Sequence, residues 1–167
     1  MAIRALTVAD IAAFLGVMSA YRADEPLAYA RDNWTPENIE RMITHPYRAV
    51  AIDTATQTIG VFIVHPPAGG EVACIRTLTT GPLAARRAAD AMLAWGLRRA
   101  VARGLTYAFG RHSYPAGVDL TRVRVIRYFS AVPAVTRTPD VVDANGNTLV
   151  TFETFDIPAV IAGIEAR

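Results

Sequence analysis

The stretch Glu71–His112 reads EVACIRTLTTGPLAARRAADAMLAWGLRRAVARGLTYAFGRH, and its reading decides the fold. EVACIRTL has the composition of a strand, and Thr79-Thr80-Gly81-Pro82 is a tight turn. A long alanine-rich segment then runs as a helix to Arg103-Gly104, and LTYAFGRH is a second strand. Strand, turn, helix, strand presents a helix N-terminus to whatever lies beyond the first strand. That end carries unpaired N–H groups and the positive pole of the helix dipole, so the arrangement predicts a phosphate-bearing ligand.

Upstream, Ala2 to Leu6 makes a short first strand. Thr7 is an N-cap with Asp10 three residues on, and the helix after it carries Ile11, Phe14, Leu15 and Met18 on one face. Arg22 to Trp34 has no period and reads as a loop. Thr35-Pro36-Glu37 is a helix start, with a capping hydroxyl, proline at the first helical position and an acid in the first turn, and that helix ends near Thr44. Arg48 to Asp53 and Thr58 to Val64 form a hairpin around Thr54–Gln57. His65 to Gly70 interrupts the pattern, and Gly69-Gly70 is no phosphate loop because no helix follows it.

Within the long helix, Leu83 to Arg103, Arg87, Asp90 and Arg98 lie on a polar edge, whereas Ala85, Ala89, Leu93 and Leu97 make an apolar face. Its many alanines allow close approach to a sheet. Downstream, Ser113 to Val118 is a turn and Asp119 caps a helix to about Ala131. Thr136 to Val142 and Thr148 to Phe155 flank a tight Asn145-Gly146 turn. A last helix covers Pro158 to Glu165.

A chain of 167 residues that is 52% hydrophobic and 19% charged makes one domain with one substantial core. No apolar run is long enough to span a bilayer, and the first residues lack the pattern of a signal peptide. A cytoplasmic protein without a membrane partner is therefore expected. The single cysteine, Cys74, allows neither an internal disulfide nor a cysteine metal cluster. All 17 basic residues are arginine and the net charge is only +2, which gives no reason to expect nucleic acid. Arg98, Arg99 and Arg103 on one helix and Arg122, Arg124 and Arg127 on the next read as solvated faces.

The Glu71–His112 segment resembles the core of the GNAT acetyltransferases. Ala91 to Leu105 (AMLAWGLRRAVARGL) matches the family's long helix without a gap, and the register puts the cofactor loop on Ala84-Ala85-Arg86-Arg87-Ala88-Ala89. The opening strand and helix and the closing hairpin match the family's order of elements. The resemblance implies an α/β (α+β) domain, a mixed twisted sheet of about six to seven strands with helices on both faces, spanning residues 1–167. It further implies acetyl transfer from acetyl-CoA to a small amine or a protein amine, with no metal. Backbone groups around Leu78, Thr79 and Thr80 and the stretch Leu83, Ala84, Arg86, Arg87, Ala88 and Ala89 would then hold the cofactor.

Three residues are candidates for the chemistry. Tyr128 falls where the family often has a general-acid tyrosine, or else it packs with Phe129 at a helix end. Glu71 shares side-chain parity with a position that supplies a general base in some members, or it is a solvated acid at a strand start. His112, at the end of a strand, can project into a site or be structural. Arg86 and Arg87 oppose the helix dipole, a cost that a bound phosphate would reverse. Alternatively, both pair with Asp90 at the spacings that favour ion pairs on a helix.

A second reading follows from the same resemblance. GNAT-like domains with an altered cofactor loop occur among proteins carried in bacteriophage particles, where a virion-associated chain would act as a structural or interaction protein in a homo-oligomer or larger assembly. Such a protein would fill the cleft with its own side chains, Arg87 or Trp95 being the candidates.

Overall fold

The computed structural model describes residues 3–24, 34–65, 69–79 and 81–167. In chain order the elements are β1 (Arg4–Ala5), α1 (Ile11–Asp24), α2 (Pro36–Thr44), β2 (Arg48–Asp53), β3 (Thr58–His65), β4 (Gly69–Thr77) and α3 (Pro82–Ala102). They continue with β5 (Ala108–Tyr114), α4 (Arg124–Ser130), β6 (Thr136–Arg137), β7 (Val141–Val142), β8 (Thr148–Thr154) and α5 (Ile157–Glu165). One mixed sheet takes the order β1-β2-β3-β4-β5-β8-β6, with β7 also pairing to β8. Every pairing is antiparallel except β4 with β5.

Local chemistry sets the helix starts. The Thr7–Asp10 capping box is formed, and Arg4 also holds Asp10 at 2.7 Å. Thr35 Oγ1 accepts from the Asn38 N–H at 3.3 Å with Pro36 at the first helical position, so α2 begins and ends as its sequence dictates. Two expected boundaries move. The segment after Asp119 is a short 3-10 turn, Leu120–Arg122, then an extended Val123, and only then α4. The closing hairpin is broken into two-residue strands, β6 and β7, against an unbroken β8.

Two apolar layers sandwich the sheet. Phe14, Val17, Met18 and Tyr21 of α1 and Ile39 of α2 pack on Val50, Ile52, Ile59 and Val61. On the other face, Met92, Leu93 and Leu97 of α3 pack with Phe62, Phe129, Phe152 and Val160. α3 lies close to the sheet because Gly96 leaves room for the Phe62 ring, which a Cβ there would meet at 2.1 Å. Between Phe62 and Val61 the β3–β4 register slips, so Ala73 is an extra residue in β4. That bulge bends β4 at the point where it parts from β5.

Candidate functional site

β4 and β5 are joined only at Gly70↔Ala108 and Glu71↔Phe109. Beyond those pairs β4 runs on to Thr77 and β5 to Tyr114 with no ladder between them. The sheet therefore opens as a wedge toward the C-terminal ends of both strands. The absence of a ladder between the two strands along the wedge leaves room for an extended ligand.

A cavity of about 580 Å³ occupies the wide end of the wedge. Ile75, Thr77 and Thr79 come to it from β4 and the turn after it, Gly81, Pro82, Ala85, Arg86 and Ala89 from the start of α3, Arg124, Val125, Arg127, Tyr128, Phe129 and Ala131 from α4 and its end, Tyr21 from α1, and Arg167 from the C-terminus. The volume falls within the usual range for sites of small organic ligands. Among the described residues four arginines line it, Arg86, Arg124, Arg127 and Arg167, and no carboxylate does. Among the described residues neither Arg86 nor Arg127 forms a salt bridge.

The start of α3 adds to this positive field. Gly81 is the N-cap with φ +83°, a conformation that glycine adopts at no steric cost, and no side chain caps the helix. Pro82 has no N–H, so the N–H groups of Leu83 and Ala84 are left at the helix end without an intrahelical partner. The approach turn is held by a chain of hydroxyls. Thr58 Oγ1 donates to Thr77 Oγ1 at 2.9 Å, Thr77 Oγ1 to Thr79 Oγ1 at 3.1 Å, and Thr79 Oγ1 to the Thr56 carbonyl at 2.7 Å.

The sequence register for the cofactor loop is displaced. Ala84 to Ala89 lie inside α3, and the glycine at positive φ is Gly81, upstream of them. Of the expected contact residues, Thr79, Arg86 and Ala89 line the cavity. Leu83 and Ala84 are exposed at the helix end, Ala88 is buried in the core layer, and Leu78 packs with the α1–α2 layer. Arg87 is exposed on α3 outside the cavity, and Thr80 lies outside the described residues. Nor does Asp90 pair with Arg86 or Arg87. It is buried, 6% exposed, and accepts from Arg167 Nη2 at 2.6 Å, Arg167 Nε at 2.9 Å and Tyr128 Oη at 2.9 Å.

Tyr128 is the one chemical candidate that lines the cavity. Burial, and then the neighbouring Asp90, push its phenol pKa far above the ordinary range, so the hydroxyl stays protonated and is spent on Asp90. His112 sits on β5 with its ring 6.1 Å from that of Phe129. Its Nε2 is buried without a hydrogen-bond partner, and burial together with the nearby Arg76 charge lowers its pKa from 6.5 to about 4. Glu71 stands at the closed end of the wedge, with its pKa raised by burial against the opposing pull of Arg48 and Arg111. Trp95, like Arg87, leaves the cavity open, since it lines a different cavity near β2. Sequence reasoning missed Arg124, Arg127 and Arg167 as site residues because they converge from separate elements.

No family model matches the chain, and no curated protein matches it in sequence. Solved structures do match it. A GNAT-family protein from Desulfovibrio desulfuricans superposes with a TM-score of 0.66 at 10% identity, over 93% of this chain and 98% of that one. The aminoglycoside 6'-N-acetyltransferase from Enterococcus faecium gives 0.64 at 11% identity, over 92% and 96%. Spermidine N-acetyltransferase from Vibrio cholerae, in a complex with CoA and spermine, gives 0.60 at 11% identity, over 91% and 93%. With its parted β4 and β5 and the long helix that begins at the mouth between them, the chain has the GNAT acetyltransferase fold.

Proposed function

We propose that the protein transfers an acetyl group from acetyl-CoA to an amine. The observation that carries this reading is the wedge cavity, which among the described residues is lined by four arginines and no carboxylate and lies against the uncapped start of α3. Such a lining suits a polyphosphate. Arg86, Arg124 and Arg127 offer guanidinium groups, and the Leu83 and Ala84 N–H groups can donate to phosphate oxygens. The parting of β4 from β5 beyond Glu71 leaves room for an extended amide-bearing arm. Two of the structural neighbours are named for aminoglycoside and spermidine, both polyamines, which supports an amine acceptor.

Acetyl-CoA would supply the acyl group already activated as a thioester. Transfer forms the amide C–N bond and breaks the C–S bond, while one proton leaves the amine and one reaches the thiolate. The protein's part is then mostly to orient the two substrates and keep water out. His112 does not line the cavity and its pKa of about 4 makes it a poor proton acceptor, so the amine proton passes to solvent. Tyr128 is ill suited to donate one, because its ionisation would set a phenolate against Asp90. We assign it to fixing α4 against α3, with solvent protonating the thiolate.

Calorimetric titration with acetyl-CoA, followed by mass spectrometry of an amine panel, tests the proposal. Micromolar binding that weakens at least tenfold in Arg127→Glu, together with acetylated product, is the expected result. Absence of binding at millimolar acetyl-CoA in the folded protein overturns it.

A further inference from the structure

A second cavity, of about 250 Å³, lies at the opposite end of α3, between that helix and the β1–β2 edge of the sheet. Arg48 of β2, Arg99 in the last turn of α3 and Arg103 just past its end all line it, beside Trp95 and Val64, and again no carboxylate does among the described residues. We propose that this cavity is a binding site for a small polyvalent anion, of the carboxylate or phosphate class, separate from the wedge.

The argument begins with charge. Three guanidinium groups converge on one small volume. The C-terminal end of α3 offsets them by only about half a charge. Glu71 is close enough to Arg48 to feel its field, yet it does not line the cavity. Counting both, the cavity keeps an excess of about one and a half positive charges.

Two of the guanidinium groups are also held in place. Arg99 lies over the Trp95 ring, 3.1 Å from its centroid, and donates to the Trp95 carbonyl at 3.1 Å. Arg103 donates to the Pro46 carbonyl at 2.7 Å and stands 5.8 Å from the Tyr47 ring centroid. Ring faces and carbonyls orient these side chains without neutralising them, so their charge is left for a ligand. Positioned arginines in a volume of this size suit a compact anion, and the cavity is too small for a nucleotide cofactor.

Trp95 makes the site its own reporter. In a Trp34→Phe background it is the remaining tryptophan, and an anion drawing on Arg99 changes the stacking on its ring. The experiment titrates that protein with citrate and with inorganic phosphate at constant ionic strength, and follows tryptophan emission. A saturable change that chloride does not reproduce is expected, with affinity at least fivefold weaker in both Arg48→Gln and Arg103→Gln. Thermal midpoints check that each variant is folded. Calorimetry with acetyl-CoA should give the same affinity in these variants as in the parent, which separates this site from the wedge. No saturable change with either anion, or equal affinities in parent and both variants, overturns the proposal.

Discussion

Asp90→Ala should be among the most damaging single substitutions in the chain. The carboxylate is 6% exposed on α3 and accepts two hydrogen bonds from Arg167 and one from Tyr128, all between 2.6 and 2.9 Å. Breaking a buried ion pair by removing one partner costs about 3–5 kcal/mol. Arg167 sits at the end of the chain with 19% of its side chain exposed and keeps its bond to the Ala131 carbonyl, so its charge can relax toward water. The half-buried Tyr128 hydroxyl loses its acceptor as well, which costs about 1–3 kcal/mol. Together these give about 3 kcal/mol, which for a chain of this size lowers Tm by roughly 6–12 °C. Asp90→Asn keeps an acceptor for Tyr128 and should lose about half as much. Urea unfolding with linear extrapolation measures both. An Asp90→Ala protein within about 0.5 kcal/mol of wild type, the level of an ordinary surface change, would refute the reasoning. Alkaline pH gives an independent check. Because the Tyr128 pKa is raised above its ordinary value near 10, the stability it confers is complete below pH 10 and is lost as pH climbs beyond it. Tyr128→Phe should reduce that slope, leaving the part that belongs to Tyr107, whose phenol is also raised by burial and by Glu153.

Other expectations follow from single contacts. The His112 pKa is lowered from 6.5 to about 4. The unfolded chain therefore binds the extra proton first, and up to about 3 kcal/mol of stability is lost as pH falls from 6.5 toward 4. His112→Gln should flatten stability over that window in urea melts. An unchanged pH–stability profile counts against the buried neutral imidazole. In Gly96→Ala the new methyl would meet the Phe62 ring at 2.1 Å, so a loss of about 1–3 kcal/mol is expected. A neutral result by thermal melt would mean the ring has somewhere else to go. If Tyr128 only anchors α4, Tyr128→Phe should slow steady-state acetyl transfer less than about tenfold, whereas a fall of 10²-fold or more is the signature of a lost general acid.

How much of this was legible beforehand follows the range of each interaction along the chain. The boundaries of α2 and β2 could be read directly, because Thr35-Pro36 and the Thr54–Gln57 turn act on their immediate neighbours. The strand, turn, helix, strand unit was legible for the same reason. The register of the expected cofactor loop was not. An alanine-arginine run can be loop or helix, and Gly81-Pro82 decides the matter by starting α3 ahead of it. Asp90 reads locally as a polar-edge residue facing Arg86 and Arg87, but its partner Arg167 is 77 residues away. The arginine lining was hidden in the same way. Arg86, Arg124, Arg127 and Arg167 form one cluster only after α3, α4 and the C-terminus have been packed together. The Ala73 bulge that lets β4 leave β5 has no signature in EVACIRTL.

The charge around the wedge makes a further demand on the free protein. The start of α3 carries about half a positive charge, and each cation held against it costs about 0.3–1 kcal/mol. Arg86 lines the cavity beside that end, with Arg124 and Arg127 facing it from α4. Asp90, the buried acid nearest to this cluster along α3, is already matched by Arg167. A bound polyphosphate should therefore relieve repulsion as well as make new contacts, and ligand-linked stabilisation ought to be large. At one hundred times its Kd a ligand specific for the folded state adds about 2.7 kcal/mol, which corresponds to a Tm rise of roughly 5–11 °C. Differential scanning fluorimetry with coenzyme A, dephospho-coenzyme A and pantetheine separates the contributions. The rise should diminish when the 3′-phosphate is removed and nearly vanish with pantetheine, which has no phosphate. Equal shifts with all three would place recognition on the amide arm and the wedge backbone, and would take from the arginines the role assigned to them.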